Sequence, residues 1–379
     1  METLKGSPRL MRVLIAILLL VLSAQTSAAV INAGHGLPHT KAAYTTLQGH
    51  VTAMGNLRFW GSKSEYSNEA GDVVAKIWVA RALANVTYGF DKHGEVSLTP
   101  ILYQDAHKEE GEQSLWDTFL HFKMGNFKIE NQPVWLGFEL GTRFPSGKKH
   151  NVIFEDYTAG KFEFGVMELF TYRYVAPQLK NDFRVHANLG YWNHNDKNVT
   201  LTEVEPPELG FVDQMSQSIR YAAGVEFPTK NIVYGLELYG LSWLVRPPVG
   251  AASRDNYLYM NVSGVYKPHH RIFVVANADL RLSAGANTTE GFMPELPGLA
   301  SYPGWRINLG IKYQILPQSD YELMRPVIER QQSRKTRELY SQLKNEMEKR
   351  EKSRAELERL KKEKEQQDKQ TNSLETQNN

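Results

Sequence analysis

The residues in this chain best placed to do chemistry are its histidines. His121, His186 and His194 lie on segments of alternating character, and Ser216 and Ser218 supply hydroxyls. A serine beside a histidine that a polar group orients would hydrolyse lipid at the outer rim of a membrane barrel. No local motif ties these residues together, and a histidine on the polar side of an amphipathic strand serves equally as a hydrogen-bonding group. The chain is therefore read as non-enzymatic, with no residue assigned to catalysis. His35 and His39 lack the thiol or carboxylate companions of a metal site, and His269 and His270 fall in a tight turn, so neither metal nor cofactor is expected.

A second set of residues carries charge on a shared parity. Arg58, Lys123, Glu139, Arg143, Arg184, Arg220, Glu226, Glu237, Asp279, Arg281 and Lys312 lie opposite the apolar residues of their segments. Such a set lines a water-filled pore, or locks into a salt-bridged filling. Both are sterically open to a barrel of intermediate size.

The elements that position these groups are strands. Leu258, Met260 and Val262 alternate with Tyr259, Asn261 and Ser263; beyond the turn at Lys267–His270, Ile272, Val274, Ala276, Ala278 and Leu280 alternate with Arg271, Asn277, Asp279 and Arg281. The same pattern recurs at Ile219–Leu238, Phe162–Tyr191, Leu120–Leu140 and Ala80–Leu102, with a first strand over 49–62 and a last over 304–315. Longer connections fall between the hairpins, at 64–72, 105–114, 145–160, 193–214, 245–255 and 283–303. Glu168 interrupts its apolar set, which marks a bulge, a buried pair or a shift of register.

In a bilayer every backbone N–H and C=O must find its partner inside the protein, so repeated amphipathic strands with no spanning helix imply a closed cylinder. The expected fold is all-β: a 12-stranded antiparallel transmembrane β-barrel followed by a charged C-terminal α-helix. A soluble sandwich or lipocalin-like barrel alternates too, but turns its apolar face inward. Trp78, Trp116 and Trp305, at strand ends next to long connections, are expected in a membrane girdle. Trp60, Trp192 and Trp243 lie at similar ends, with parity that sends them inward.

Only 41% of the residues are hydrophobic, as expected where alternate wall residues face water. The net charge of +2 gives no reason to expect nucleic acid, and the absence of cysteine excludes disulfides and a lipid-modified cysteine. Lys5, Arg9 and Arg12 precede the apolar run 14–22 and small residues through Ala29, the pattern of a cleaved signal peptide. Beyond Asp320 the composition turns to Glu, Lys, Arg and Gln, which favours a solvated helix. A heptad seam runs through Tyr340, Leu343, Met347 and Leu357, but Arg350, Arg354 and Lys361 interrupt it, so a coiled coil needs a partner. The expected organisation is a signal peptide at 1–29, a periplasmic segment at 30–48, the barrel at 49–317, a periplasmic helix at 318–370 and a disordered tail at 371–379.

Two stretches carry resemblances. The run Asn308–Ile315 resembles the insertion signal read by the outer-membrane barrel assembly machinery, although it ends on Ile315 and the chain continues. Leu140–Lys148 with Asp156–Phe164 resembles the bacterial outer-membrane barrels of the phenol-degradation meta-pathway transporter family, in which a strand ends in a Pro-Thr/Ser-Gly turn and a Gly-bearing stretch leads into the next. That resemblance implies a channel for small molecules in a Gram-negative outer membrane; the charged tail is not part of the pattern. The function expected is a passive channel or transporter for small solutes. The alternative is a sealed barrel whose helix anchors a periplasmic protein or peptidoglycan.

Overall fold

The computed structural model describes residues 34–68, 71–106, 117–175, 182–202, 204–229, 231–290, 300–317, 336 and 338–361. The expected signal segment, Trp116 and the 371–379 tail lie outside them. The strands are β1 (Val51–Asn68), β2 (Gly71–Gly89), β3 (Gly94–Ala106), β4 (Thr118–Lys128), β5 (Val134–Phe144), β6 (Glu163–Val175), β7 (Asp182–Asn193), β8 (Gln217–Pro228), β9 (Ile232–Val245), β10 (Tyr257–His269), β11 (Ile272–Arg281) and β12 (Trp305–Leu316). Each pairs antiparallel with its sequence neighbours, and β1 pairs with β12 from Val51↔Leu316 to Phe59↔Ile307, so the sheet closes as a barrel.

The direction of the apolar face decides between a lipid-embedded and a soluble barrel. In β12, Trp305, Ile307, Leu309, Ile311 and Tyr313 are exposed on the outside, while Arg306, Asn308, Gly310, Lys312 and Gln314 are buried within. The same inversion holds around the wall, with Leu57, Phe59, Val86, Leu98, Phe138, Leu140, Val166, Leu189, Leu236, Leu238, Val262 and Leu280 all exposed. An apolar exterior over a polar, charged interior is stable only where the surrounding solvent is hydrocarbon. The buried wall residues satisfy one another across strands. Asn261 donates to Asn277 (2.9 Å) and Asp279 (2.6 Å), and Asn308 donates to Asn277 (2.7 Å).

Three sequence expectations need correction. In the connection expected over 64–72, residues 64–68 and 71–72 are strand, because β1 and β2 continue their pairing out to Asn68↔Gly71. Glu168 marks neither a bulge nor a buried pair: β5–β6 and β6–β7 run in unbroken register through it, opposite Phe138 and Leu189, and its side chain is exposed on the apolar belt. Near the middle of a membrane strand a carboxylate is destabilising, so Glu168→Leu is expected to stabilise the folded barrel in lipid vesicles by about 1 kcal/mol. Urea denaturation of the two proteins measures it, and equal midpoints would place Glu168 outside the hydrocarbon.

The third correction concerns the residues ahead of β1. Residues 34–46 do not lie outside the barrel, as expected for a periplasmic segment, but run inside it. Leu37, Thr40 and Ala43 are fully buried. Gly224 and Gly235 leave room for Leu37, and a Cβ at Gly125 would collide with the backbone carbonyl of Ala43. The inner wall is glycine where this segment lies closest. The C-terminal unit, described by itself, is helical over 338–361, with Leu339, Tyr340, Leu343, Met347, Leu357 and Leu360 all exposed.

Candidate functional site

The buried segment is held by the charges of the wall. Glu237 accepts from the backbone N–H of His39 (3.0 Å) and Thr40 (2.7 Å) and from the Thr40 hydroxyl (2.7 Å). Lys41 pairs with Glu139, which His121 also contacts at 2.8 Å, and the backbone of Lys41 exchanges hydrogen bonds with Asn188. Further along, Ala43 N–H donates to Thr171 (2.8 Å) and Thr46 N–H to Glu95 (2.5 Å), whose other oxygen takes Lys123 at 2.6 Å. His39 contacts Asp279 at 3.0 Å, and Lys312 donates to the Gly34 carbonyl at 3.3 Å. Residues 34–46 thus form a plug, and charge-assisted hydrogen bonds inside a largely water-excluded lumen fix its path.

The opposite end of the lumen, beneath the long connections, is filled by those connections. Val152, Ile153, Phe154 and Ala252 pack with Trp60, Ile77, Val79 and Ile101. Tyr157, Leu201, Val204, Val212 and Ala251 form a second cluster, against which Trp243 lies. Trp60, Trp192 and Trp243 therefore do not belong to a lipid girdle. Trp60 packs against Phe154, Trp192 donates to Glu163 at 2.8 Å, and Trp243 stands edge-on to Tyr157. Trp78 and Trp305 face outward, 38% and 37% exposed.

Between plug and connections lies a chamber of about 140 Å³. Pro38, His39 and Lys41 of the plug border it, Arg58, Arg220 and Arg306 project from β1, β8 and β12, and Asp156 enters from the 145–162 connection. Trp192, Tyr239 and Tyr257 add aromatic walls. Of the eleven charges expected in the lumen, all stand on the inner parity, but only Arg58, Glu139 and Arg220 reach this chamber. The other eight are engaged elsewhere. Arg143 pairs with Asp117 (2.7 Å), Arg184 with Glu226 (3.2 Å), and Arg281 donates to the Tyr302 carbonyl, while Lys123, Glu237, Asp279 and Lys312 hold the plug or its supports.

Burial pushes the Asp156 carboxyl up, yet Arg220, Arg58, Arg81 and Arg306 outweigh it and hold its pKa at about 2. The chamber is a region of positive potential. The histidines considered for catalysis are tied up otherwise: His121 to Glu139, His186 to Thr171 (2.9 Å) and Glu226 (3.7 Å), and His194 to Glu163 (3.2 Å). Ser216 and Ser218 are fully buried. Lys41, Glu95, Asp156 and Arg306 were not among the expected site residues. Arg306 and Glu95 had a visible signal, their inward parity in β12 and β3.

His35 gives the plug a dependence on pH. Burial, with repulsion from Lys312, lowers its pKa to about 3; Lys123 acts in the same direction, while Glu95 and Glu226 oppose. Released into water the imidazole titrates near its ordinary 6.5, so between pH 6.5 and 3 the released plug binds a proton that the docked plug refuses. The His35 contribution is therefore fully present above pH 6.5 and should fall by up to about tenfold in docked-to-released ratio per pH unit between 6.5 and 3. Current across bilayers at pH 5 and pH 7 should differ accordingly in the native chain but not in His35→Gln; equal currents in the native chain at both pH values would contradict this.

An apolar belt around a closed, polar-lined cylinder defines the chain as a transmembrane β-barrel. No protein-family model matches the sequence, and no curated protein matches it. Among solved structures, similar ones include the NanC porin (TM-score 0.44, 10% identity, covering 69% of this chain and 100% of that one). An outer membrane channel from Pseudomonas putida F1 is also similar (TM-score 0.43, 10% identity, 72% and 98%), as is a deletion mutant of the TodX monoaromatic hydrocarbon channel (TM-score 0.38, 10% identity, 76% and 99%). The class rests on the chain's own belt and register.

Proposed function

We propose that the protein is an outer-membrane channel for small solutes, with residues 34–46 as its resident plug and the chamber as the station through which a solute passes. The observation that carries this reading is the chamber itself, a polar, charge-lined space between the plug and the packed connections. Arg220 lies in it over the Trp192 ring, with Asp156 across the same space and no carboxylate of a described residue within ion-pair distance. Of the four cationic side chains that border it, Lys41 has Glu139, Arg58 has Glu155 and Arg306 has Asp279 within ion-pair distance, which leaves Arg220, facing Asp156 across the chamber, as the cation open to an anion. With the amphipathic strands inserted from the periplasm, the short turns and the charged helix belong on the periplasmic side, and the long connections outside. The test is conductance in planar bilayers of the intact chain and of a chain lacking residues 34–46. Current that rises on deletion, with selectivity for anions, supports a plugged channel; a folded but silent deletion variant contradicts it and leaves the sealed anchor.

A further inference from the structure

The chamber contains a charge arrangement that its own residues leave incomplete. The Arg220 guanidinium lies over the Trp192 ring at 4.2 Å, its Nε is buried without a hydrogen-bond partner, and it forms no ion pair with a described residue. Asp156 borders the same chamber and likewise makes no ion pair or hydrogen bond with a described residue. Arg58 and Arg306, by contrast, have carboxylates behind them, at 3.7 Å (Glu155) and 3.3 Å (Asp279).

We infer that Arg220 anchors a binding site for small organic monocarboxylates, a solute class that deepens the channel reading and rests on it. A guanidinium offers a planar fork that fits a carboxylate, and here it borders the chamber with no carboxylate of a described residue within ion-pair distance. The charge of the ligand is limited by Asp156, since a dianion would meet that carboxylate with twice the repulsion of a monoanion. Its size is limited by the space: a chamber of about 140 Å³ holds one ring with a small substituent. Trp192, Tyr239 and Tyr257 supply flat apolar faces for the body of the ligand, which leaves its charged end to the arginine.

The test is calorimetric titration of the full chain in detergent micelles at pH 7 with benzoate, with benzamide as the uncharged isostere and with sulfate as the dianion. Benzoate should bind at least about tenfold more tightly than either, the value of one charge-assisted hydrogen bond. Arg220→Gln should weaken benzoate about ten- to a hundredfold, and Asp156→Asn should tighten it severalfold by removing a like charge. Both variants are checked for the heat-resistant mobility of a folded barrel on gels. Benzamide or sulfate binding as well as benzoate, no benzoate binding at all, or an unchanged Arg220→Gln would overturn the inference. Absence of binding in a protein whose plug deletion still conducts removes the site and leaves the channel; binding in a protein whose deletion is silent leaves the site and removes the channel.

Discussion

Deleting residues 34–46 is expected to raise single-channel conductance by about tenfold or more, because a twelve-stranded cylinder lies between eight-stranded barrels filled by side chains and sixteen-stranded barrels with an aqueous lumen. In the intact chain the filling beneath the chamber is this segment, with Leu37, Thr40 and Ala43 fully buried against the wall. The strand ladder closes through β1 and β12 and does not run through the plug, so the barrel retains its hydrogen bonds without it. Glu95, Glu139 and Glu237 lose partners on deletion, but water enters with them, and a hydrated carboxylate in a wide lumen is not a buried one. A second variant leaves the segment in the chain: in Gly125→Ala the new methyl collides with the Ala43 carbonyl, a backbone atom that cannot rotate away. Both proteins should conduct above the native level, Gly125→Ala less than the deletion. If both fold and neither conducts, the plug is not what closes the barrel.

The second large effect is at Glu139. Removing its carboxylate in Glu139→Leu leaves the Lys41 ammonium buried with no counter-charge, which should weaken plug docking by about 3–5 kcal/mol. The double variant Lys41→Met/Glu139→Leu replaces the pair with apolar groups of similar bulk and should recover most of that loss, since a well-packed apolar pair often equals a buried ion pair. Docking is read as the rate at which a cysteine placed at Leu37 reacts with a water-soluble maleimide. The single variant should react at least a hundredfold faster than the Leu37→Cys background, and the double variant within about tenfold of it, given 1.4 kcal/mol per factor of ten. Should the double variant react as fast as the single one, the ion pair itself, and not merely relief from an unpaired ammonium, would be holding this part of the plug.

The wall was legible in the sequence because lipid imposes a period of two on every strand, and the twelve strands follow from it. Ile307, Leu309 and Ile311 could face only one solvent, and Asn308 and Lys312 only the other. The inner charges were legible on the same ground; their partners were not, since Glu237 meets Thr40 across 197 residues of chain and no local rule pairs them. The plug escaped because it alternates in nothing. Gly34 and Gly36 carry positive φ, and the backbone from there to Ala43 divides its hydrogen bonds between a tight internal turn, Leu37 N–H to the Thr40 carbonyl and Ala42 N–H to the His35 carbonyl, and wall side chains. Its trace in the sequence lies on the wall instead, in the inward-facing glycines at 125, 224 and 235 that give no apolar signal and read as gaps in a pattern. Glu168 misled for the opposite reason: a charge on the belt looks like a register error until the ladder shows there is none.

The most direct measurement of the account is the accessibility of residue 37. The native chain has no cysteine, so Leu37→Cys gives a single thiol, and Tyr340→Cys, on the exposed helix, gives a reference for free reaction. In the folded protein in lipid vesicles permeable to a small water-soluble maleimide, the thiol at 37 should react at least a hundredfold more slowly than the one at 340, and at an equal rate once the barrel is unfolded. Equal rates in the folded protein would mean that residues 34–46 lie outside the barrel, and the plug, the chamber it floors and the gating drawn from them would fall together.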